Sequence, residues 1–226
     1  MSDERRPVVL VHGLGSTFEH NWRRHGWVDL LEAEGRRVVG FDMPGHGAAP
    51  LLGAGETGPG RLVDLCASIG PVDLVGFSAG SVLGLTATVE RPDLFGRVAL
   101  LGLADAQLQT TPESKAAGLS DPDAPIMRGI RLAAERAGND VEAVLASALQ
   151  TGPPPTFDSL ARVRGPVLLV LGELDLVGRA DRVLAALPQG RLVVLRETDH
   201  FSTTQRFEAK QAVLDFLAEA DVAAPA

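Results

Sequence analysis

The chain is poor in the residues that announce special locations or bound metals. Its one cysteine, Cys66, cannot build an intrachain disulfide framework or join a thiolate cluster, and it reads as a small buried apolar residue on a helix. There is no tyrosine, so no phenol is available as a proton donor. Positive charge is in deficit: 21 Lys and Arg against 29 Asp and Glu leave a net charge of −8, which argues against a nucleic-acid partner. No apolar run approaches the ~20 residues that span a bilayer. The opening Met1-Ser2-Asp3-Glu4-Arg5-Arg6 has no apolar stretch of the secretion-signal kind. His-Glu-x-x-His is missing, as is a Gly-rich loop ending in Lys-Ser/Thr, so neither a metal nor another cofactor is expected. A cytoplasmic protein without membrane or nucleic-acid partners follows as the expectation; nothing in the residues speaks to oligomeric state.

What is present is an alternation. Short aliphatic runs at 7–11, 37–41, 72–77, 98–101, 166–171 and 191–195 read as buried strands. Helical spacing occurs at 27–34, 60–69, 81–87, 178–187 and 205–219. Near-continuous aliphatic strands separated by helices predict an α/β fold with a mostly parallel, doubly wound sheet of about six strands, covered on both faces. At 226 residues, one domain spanning 1–226 fits. Residues 105–160 break the alternation with two helical patterns, Ile126–Ala137 and Val141–Leu149, framed by prolines. Inserted after a strand, this segment predicts a small helical cap above the sheet edge.

Ligands bind such sheets outside the carboxyl ends of the strands. His12, Asp42, Ser78, Asp105, Asp175 and His200 all fall there. Gly76-Phe77-Ser78-Ala79-Gly80 is a Gly-x-Ser-x-Gly pattern between a strand and a helix. The turn needs neighbours without bulk, and Gly76 and Gly80 leave room for Ser78 as an exposed nucleophile. A serine hydroxyl requires a base, and that base requires an orienting acid. His200, after the last strand, is the base by elimination among five histidines. Asp175, in Gly172-Glu173-Leu174-Asp175, is the preferred acid, with Glu173 and Asp105 as alternatives; Asp199 reads as a turn-capping residue. Donors for an oxyanion come from the N–H of Ala79 and of Leu14, the latter in the glycine-flanked loop His12-Gly13-Leu14-Gly15. His12 is expected to hold that loop, His46 to sit in a turn, and His20 and His25 to lie on a polar loop or helix start.

These motifs, with Asp42-Met43-Pro44-Gly45-His46-Gly47 and Asp199-His200-Phe201, resemble the α/β-hydrolase superfamily from about residue 7 to 219. The resemblance implies Ser78 as nucleophile, Asp175 as acid, His200 as base, Leu14 and Ala79 as oxyanion donors, and strand order 2-1-3-4-5-6. Two departures stand out. The antiparallel hairpin with which the family usually begins has no counterpart before Pro7, and the cap is short, which implies a shallow or open pocket. Phe77, Met43, Trp22, Met127 and Phe201 are candidates for the pocket wall, as readily explained as core. Arg128 and Arg131 read as a solvated helix face. The expected activity is cofactor-free hydrolysis of a small or medium ester, thioester or lactone. Carbon–carbon bond hydrolysis and perhydrolase (haloperoxidase-like) chemistry use the same equipment, and a non-catalytic ligand-binding protein is the rival of another class. Serine at 78 and the missing tyrosine disfavour epoxide and haloalkane opening.

Overall fold

A computed structural model describes residues 5–219. Six strands, β1 (Val8–Val11), β2 (Val38–Phe41), β3 (Val72–Phe77), β4 (Phe95–Leu101), β5 (Val167–Gly172) and β6 (Gly190–Leu195), form one sheet. Its order is β2-β1-β3-β4-β5-β6 and every pairing is parallel. That order is the one implied by the family resemblance. The winding reverses between β1 and β3, which are neighbours in register Val9↔Leu74 and Val11↔Gly76.

Side-chain alternation along the strands builds two cores. Val9, Val11, Leu74, Val98, Leu100 and Leu169 pack against α2 (Gly58–Ile69), α3 (Ala79–Glu90) and α8 (Asp181–Ala186). Val8, Leu10, Val75, Ala99 and Val170 face α1 (Trp27–Ala33) and α9 (Phe207–Ala218). The result is three layers, as two-faced burial of parallel strands requires. Cys66 is buried in the first core, and burial pushes its thiol up to about 12, as befits an inert apolar residue. The β4 strand begins at Phe95, three residues before the aliphatic run at 98, because Arg97 can enter a buried strand by laying its guanidinium 5.4 Å over the Phe216 ring. Helix α2 starts at Gly58, ahead of the expected 60, because Thr57 Oγ1 accepts the Gly60 N–H at 3.0 Å and Pro59 occupies the first turn.

Between β4 and β5 the chain is helical: α4 (Asp105–Leu108), α5 (Pro112–Ser120), α6 (Pro125–Ala137) and α7 (Val141–Gln150). Met127, Ile130 and Ala134 of α6 close on Val144 of α7, whereas α5 adds only the partly buried Leu119. Asn139 fastens this cap to the sheet edge. Its Nδ2 donates to Gly15 O at 2.8 Å and Ser16 O at 3.0 Å, and its Oδ1 accepts from Gly47 N at 2.8 Å. No helix among the described residues is long and apolar enough to cross a membrane.

Candidate active site

The turn after β3 holds Ser78 at φ 52°, ψ −116°, a region that side-chain-bearing residues rarely occupy, at a cost of ~1–3 kcal/mol. The surroundings impose it. Ser78 N donates to Leu101 O at 2.8 Å, and Ser78 O accepts from Ser81 N at 2.9 Å and Val82 N at 3.2 Å. Both flanking glycines are required: a Cβ on Gly76 would lie 2.8 Å from Gly80 O, and one on Gly80 would lie 2.4 Å from His12 O and Val11 O.

His200 arrives from the adjacent side of the rim. Strands β5 and β6 are paired, and their exit loops remain zipped: Glu173 N donates to Leu195 O at 2.8 Å and Leu174 N to Thr198 O at 3.0 Å. Gly172 permits this approach, since a Cβ there would stand 2.1 Å from Thr198 O. The zip brings Asp175 against His200. Both carboxylate oxygens lie near His200 Nδ1, at 2.9 and 3.0 Å, and Oδ1 also accepts from Val177 N at 3.0 Å. A carboxylate only accepts, so Nδ1 carries the proton and Nε2 is left as an acceptor. Ser78 Oγ lies 2.9 Å from that Nε2. The imidazole is wedged between Phe77, with ring centroids 5.1 Å apart, and Phe201, at 5.3 Å edge-on.

The alternative acids are engaged elsewhere. Asp105 accepts from Val183 N at 2.9 Å and Arg182 N at 3.1 Å, capping α8. Glu173 accepts from Glu197 N at 3.1 Å and so braces the turn that leads to His200. Asp199 takes the Ser202 N–H and hydroxyl, each at 2.8 Å, and these bonds hold its carboxyl below the ordinary range.

Three N–H groups of the loop after β1 find acceptors within the fold. Gly13 N donates to Asn21 Oδ1 at 3.1 Å, Gly15 N to His46 Nε2 at 3.0 Å, and Ser16 N to Gly13 O at 3.0 Å. Among the described residues, Leu14 N and Ala79 N have no acceptor, and both residues line the cavity beside Ser78. Asn21, buried in a π-helical turn over Glu19–Arg23, is a supporting residue with no signal in the sequence.

Two histidines brace the site without facing it. His12 Nδ1 donates to Gly13 O at 2.8 Å and its Nε2 accepts from Met43 N at 3.0 Å. Burial first, then proximity to His46, lowers its pKa to about 3. Asp42 Oδ1 is 3.5 Å from His12 Nε2, but that nitrogen bears no proton and the contact is not an ion pair. His46 repeats the pattern, with Nδ1 donating to Pro44 O at 2.9 Å, and burial lowers its pKa as well.

The cavity above Ser78 is about 560 Å³, within the usual range for small-molecule sites and larger than the short cap implied. Its lining includes Pro112, Lys115 and Leu119 of α5, a helix absent from the expected elements. Phe77, Met43 and Phe201 line it, together with Ile126, Ile130 and Leu119 of the cap. Trp22 and Met127 do not. Trp22 is wholly buried, edge-on to Trp27 at 5.1 Å in the core beneath α1, and Met127 is spent in the α6–α7 contact. His20, in the π-helical turn, and His25, in the turn before α1, also line the cavity, and burial lowers both pKa values. Among the described residues, no group of three His, Cys, Asp or Glu side chains is placed to hold a metal ion.

Known proteins resemble this chain in sequence or in fold. A curated relative, the (E)-2-((N-methylformamido)methylene)succinate hydrolase of Acinetobacter baylyi, is 35% identical over 106 residues, 43% of this chain. The match spans only 38% of that relative's length. Among solved structures, the enol-lactonase of Burkholderia xenovorans LB400 superposes with a TM-score of 0.73 at 22% identity, covering 97% of this chain and 94% of that one. The 2-hydroxy-6-oxo-6-phenylhexa-2,4-dienoate hydrolase of Rhodococcus sp. strain RHA1 gives 0.67 at 23% identity, covering 96% and 91%. The model described as "Alpha/beta hydrolase family" matches residues 8–211, and the chain belongs to that family.

Proposed function

We propose that the protein is a serine hydrolase cleaving a small or medium carboxylic ester, thioester or lactone. The observation that carries the reading is the unbroken line Ser78 Oγ–His200 Nε2 and His200 Nδ1–Asp175, opening into a cavity beside two uncommitted N–H groups. Ser78 Oγ attacks the carbonyl carbon while His200 Nε2 takes its proton. Asp175 holds the imidazole in the Nδ1–H tautomer and stabilises the imidazolium that forms. The developing oxyanion lies against Leu14 N–H and Ala79 N–H, each such donor contributing about 3–4 kcal/mol in a dry site. His200 then protonates the leaving oxygen or sulfur, and a water activated by the same nitrogen releases the acyl group from Ser78.

The backbone strain at Ser78 supports a reactive rather than merely receptive cavity, since a binding pocket gains nothing from an off-region serine facing an imidazole. Labelling with a fluorophosphonate tests the reading. The wild-type protein should be modified at Ser78 and the Ser78→Ala variant should stay unmodified; an inert wild type would leave a ligand-binding protein in its place. A series of p-nitrophenyl esters of rising chain length, beside lactones and vinylogous diketones, then separates ester from carbon–carbon cleavage.

A further inference from the structure

The cavity's charge pattern opposes that of the chain. The protein has 29 acidic residues against 21 Lys and Arg, yet among the described residues no Asp or Glu lines the cavity, while Lys115 and Arg136 do. Arg136 is exposed at the end of α6. Lys115, on α5, is half-buried, and its Nζ donates to Thr151 Oγ1 at 2.6 Å. Thr151 gives its own proton to Ala148 O at 2.9 Å, so its oxygen can only accept and it fixes the ammonium without supplying negative charge. Burial, unopposed by a neighbouring carboxylate, holds the Lys115 pKa below the ordinary lysine range. A half-desolvated cation with two N–H donors and no counter-ion among the described residues is unfavourable until an anion arrives.

Its position fits that role. Thr151 Cγ2 and Leu83 Cδ1 flank one point, 3.9 and 3.1 Å from a Cβ built on Gly58. Leu83 follows Ser78 by five residues at the start of α3, a rise of ~7.5 Å along the helix. Val82, Leu83 and Thr86 line the cavity between them. We propose that Lys115, braced by Thr151, is an anion subsite, and that the substrate is an ester or lactone bearing a free carboxylate several bonds from the carbonyl met by Ser78. This rests on the hydrolytic reading, because both concern one cavity.

Two probes of equal carbon count test it: mono-4-nitrophenyl adipate, which is anionic, and 4-nitrophenyl hexanoate, which is neutral. The wild type should favour the adipate in kcat/KM. Lys115→Met should lower the adipate-to-hexanoate ratio at least about tenfold, mainly through KM, as expected for a charge-assisted hydrogen bond. Lys115→Arg should recover part of the ratio, and Thr151→Val should lose part of it. A ratio unmoved by Lys115→Met, with hydrolysis retained, would discard the subsite and keep the hydrolase. A binding measurement separates the opposite case: calorimetric titration of monomethyl adipate into the Ser78→Ala protein, with and without Lys115→Met. Lys115-dependent binding by a wild type that hydrolyses neither ester would keep the subsite and discard the hydrolase. Absence of both hydrolysis and binding would remove both.

Discussion

The rim of the sheet and the helices above it are held by different means. At the rim, each functional group hangs from a strand whose neighbour fixes it by backbone hydrogen bonds: Ser78 through Leu101, Asp175 and His200 through the paired loops after β5 and β6. Glycines at 76, 80 and 172 allow backbone to touch backbone. The cap has one small cluster around Met127, Ile130, Ala134 and Val144, and no residue of α5 is fully buried. Ladder-fixed groups hold a defined mutual geometry, which the proposed covalent chemistry would require. Lightly packed helices can change without disturbing that geometry, which makes them the natural site of substrate choice.

The sharpest way to break this contrast is at the rim itself. His200→Ala should lower turnover by at least about 10³-fold, and Asp175→Asn by about 10⁴-fold, because the amide would stabilise the wrong imidazole tautomer. Asp105→Asn should leave turnover within a few-fold and instead lower stability by about 1 kcal/mol, through loss of charge at the first turn of α8. Steady-state kinetics beside chemical denaturation of the three variants reads both effects. Equal losses of turnover for Asp105→Asn and Asp175→Asn would show that the carboxylate nearest the imidazole is not the one that matters.

The same contrast governs what the residue order makes legible. The strands and the Ser78 turn are written locally, as aliphatic runs ending in glycine and serine, whereas the strand order is implied only by the family resemblance. Asp175 could be preferred over Glu173 and Asp105, but only the β5–β6 register and the capping of α8 separate them, and both are long-range facts. Helix α5 carries no apolar period, and its one local sign is Thr111-Pro112, where Thr111 Oγ1 accepts the Ser114 N–H at 3.1 Å. Trp22 and Met127 illustrate a further limit: a large apolar side chain has the same spelling in a core as on a pocket wall. Asn21 and Lys115 are polar residues whose weight comes only from what surrounds them.

A second test concerns the imidazoles that brace the loop after β1. His12 is neutral in the folded chain with a pKa near 3, against about 6.5 unfolded. Between those values the unfolded chain binds more protons, so stability is complete above the upper value and falls as pH drops through the window. From this residue alone the loss should reach about 2 kcal/mol by pH 5. Urea denaturation at pH 7.5 and 5 measures it, and imidazole nitrogen shifts identify the group. A His12 that takes a proton above pH 5 while the protein stays folded would mean that the rim is looser than its hydrogen bonds imply.

The smallest expected effect lies where cap and rim meet. Phe201, next to His200, presses on Gly129 of α6 so closely that a Cβ there would stand 1.9 Å from Phe201 Cζ. Alanine in a helix interior ordinarily favours folding by about 1 kcal/mol over glycine. Here that gain meets a collision with a ring that is 36% exposed and able to swing aside, so the net change in stability should be under about 1 kcal/mol. The swing would reshape one wall of the cavity. Gly129→Ala should therefore shift the chain-length preference among p-nitrophenyl esters by roughly three- to tenfold, the scale of a methylene-sized change in an apolar pocket. Because Phe201 also touches the His200 ring, the variant asks how far the two regions are independent. A selectivity shift with kcat conserved for the best substrate keeps them apart; a fall approaching that of His200→Ala would make the cap part of the machinery that positions the imidazole.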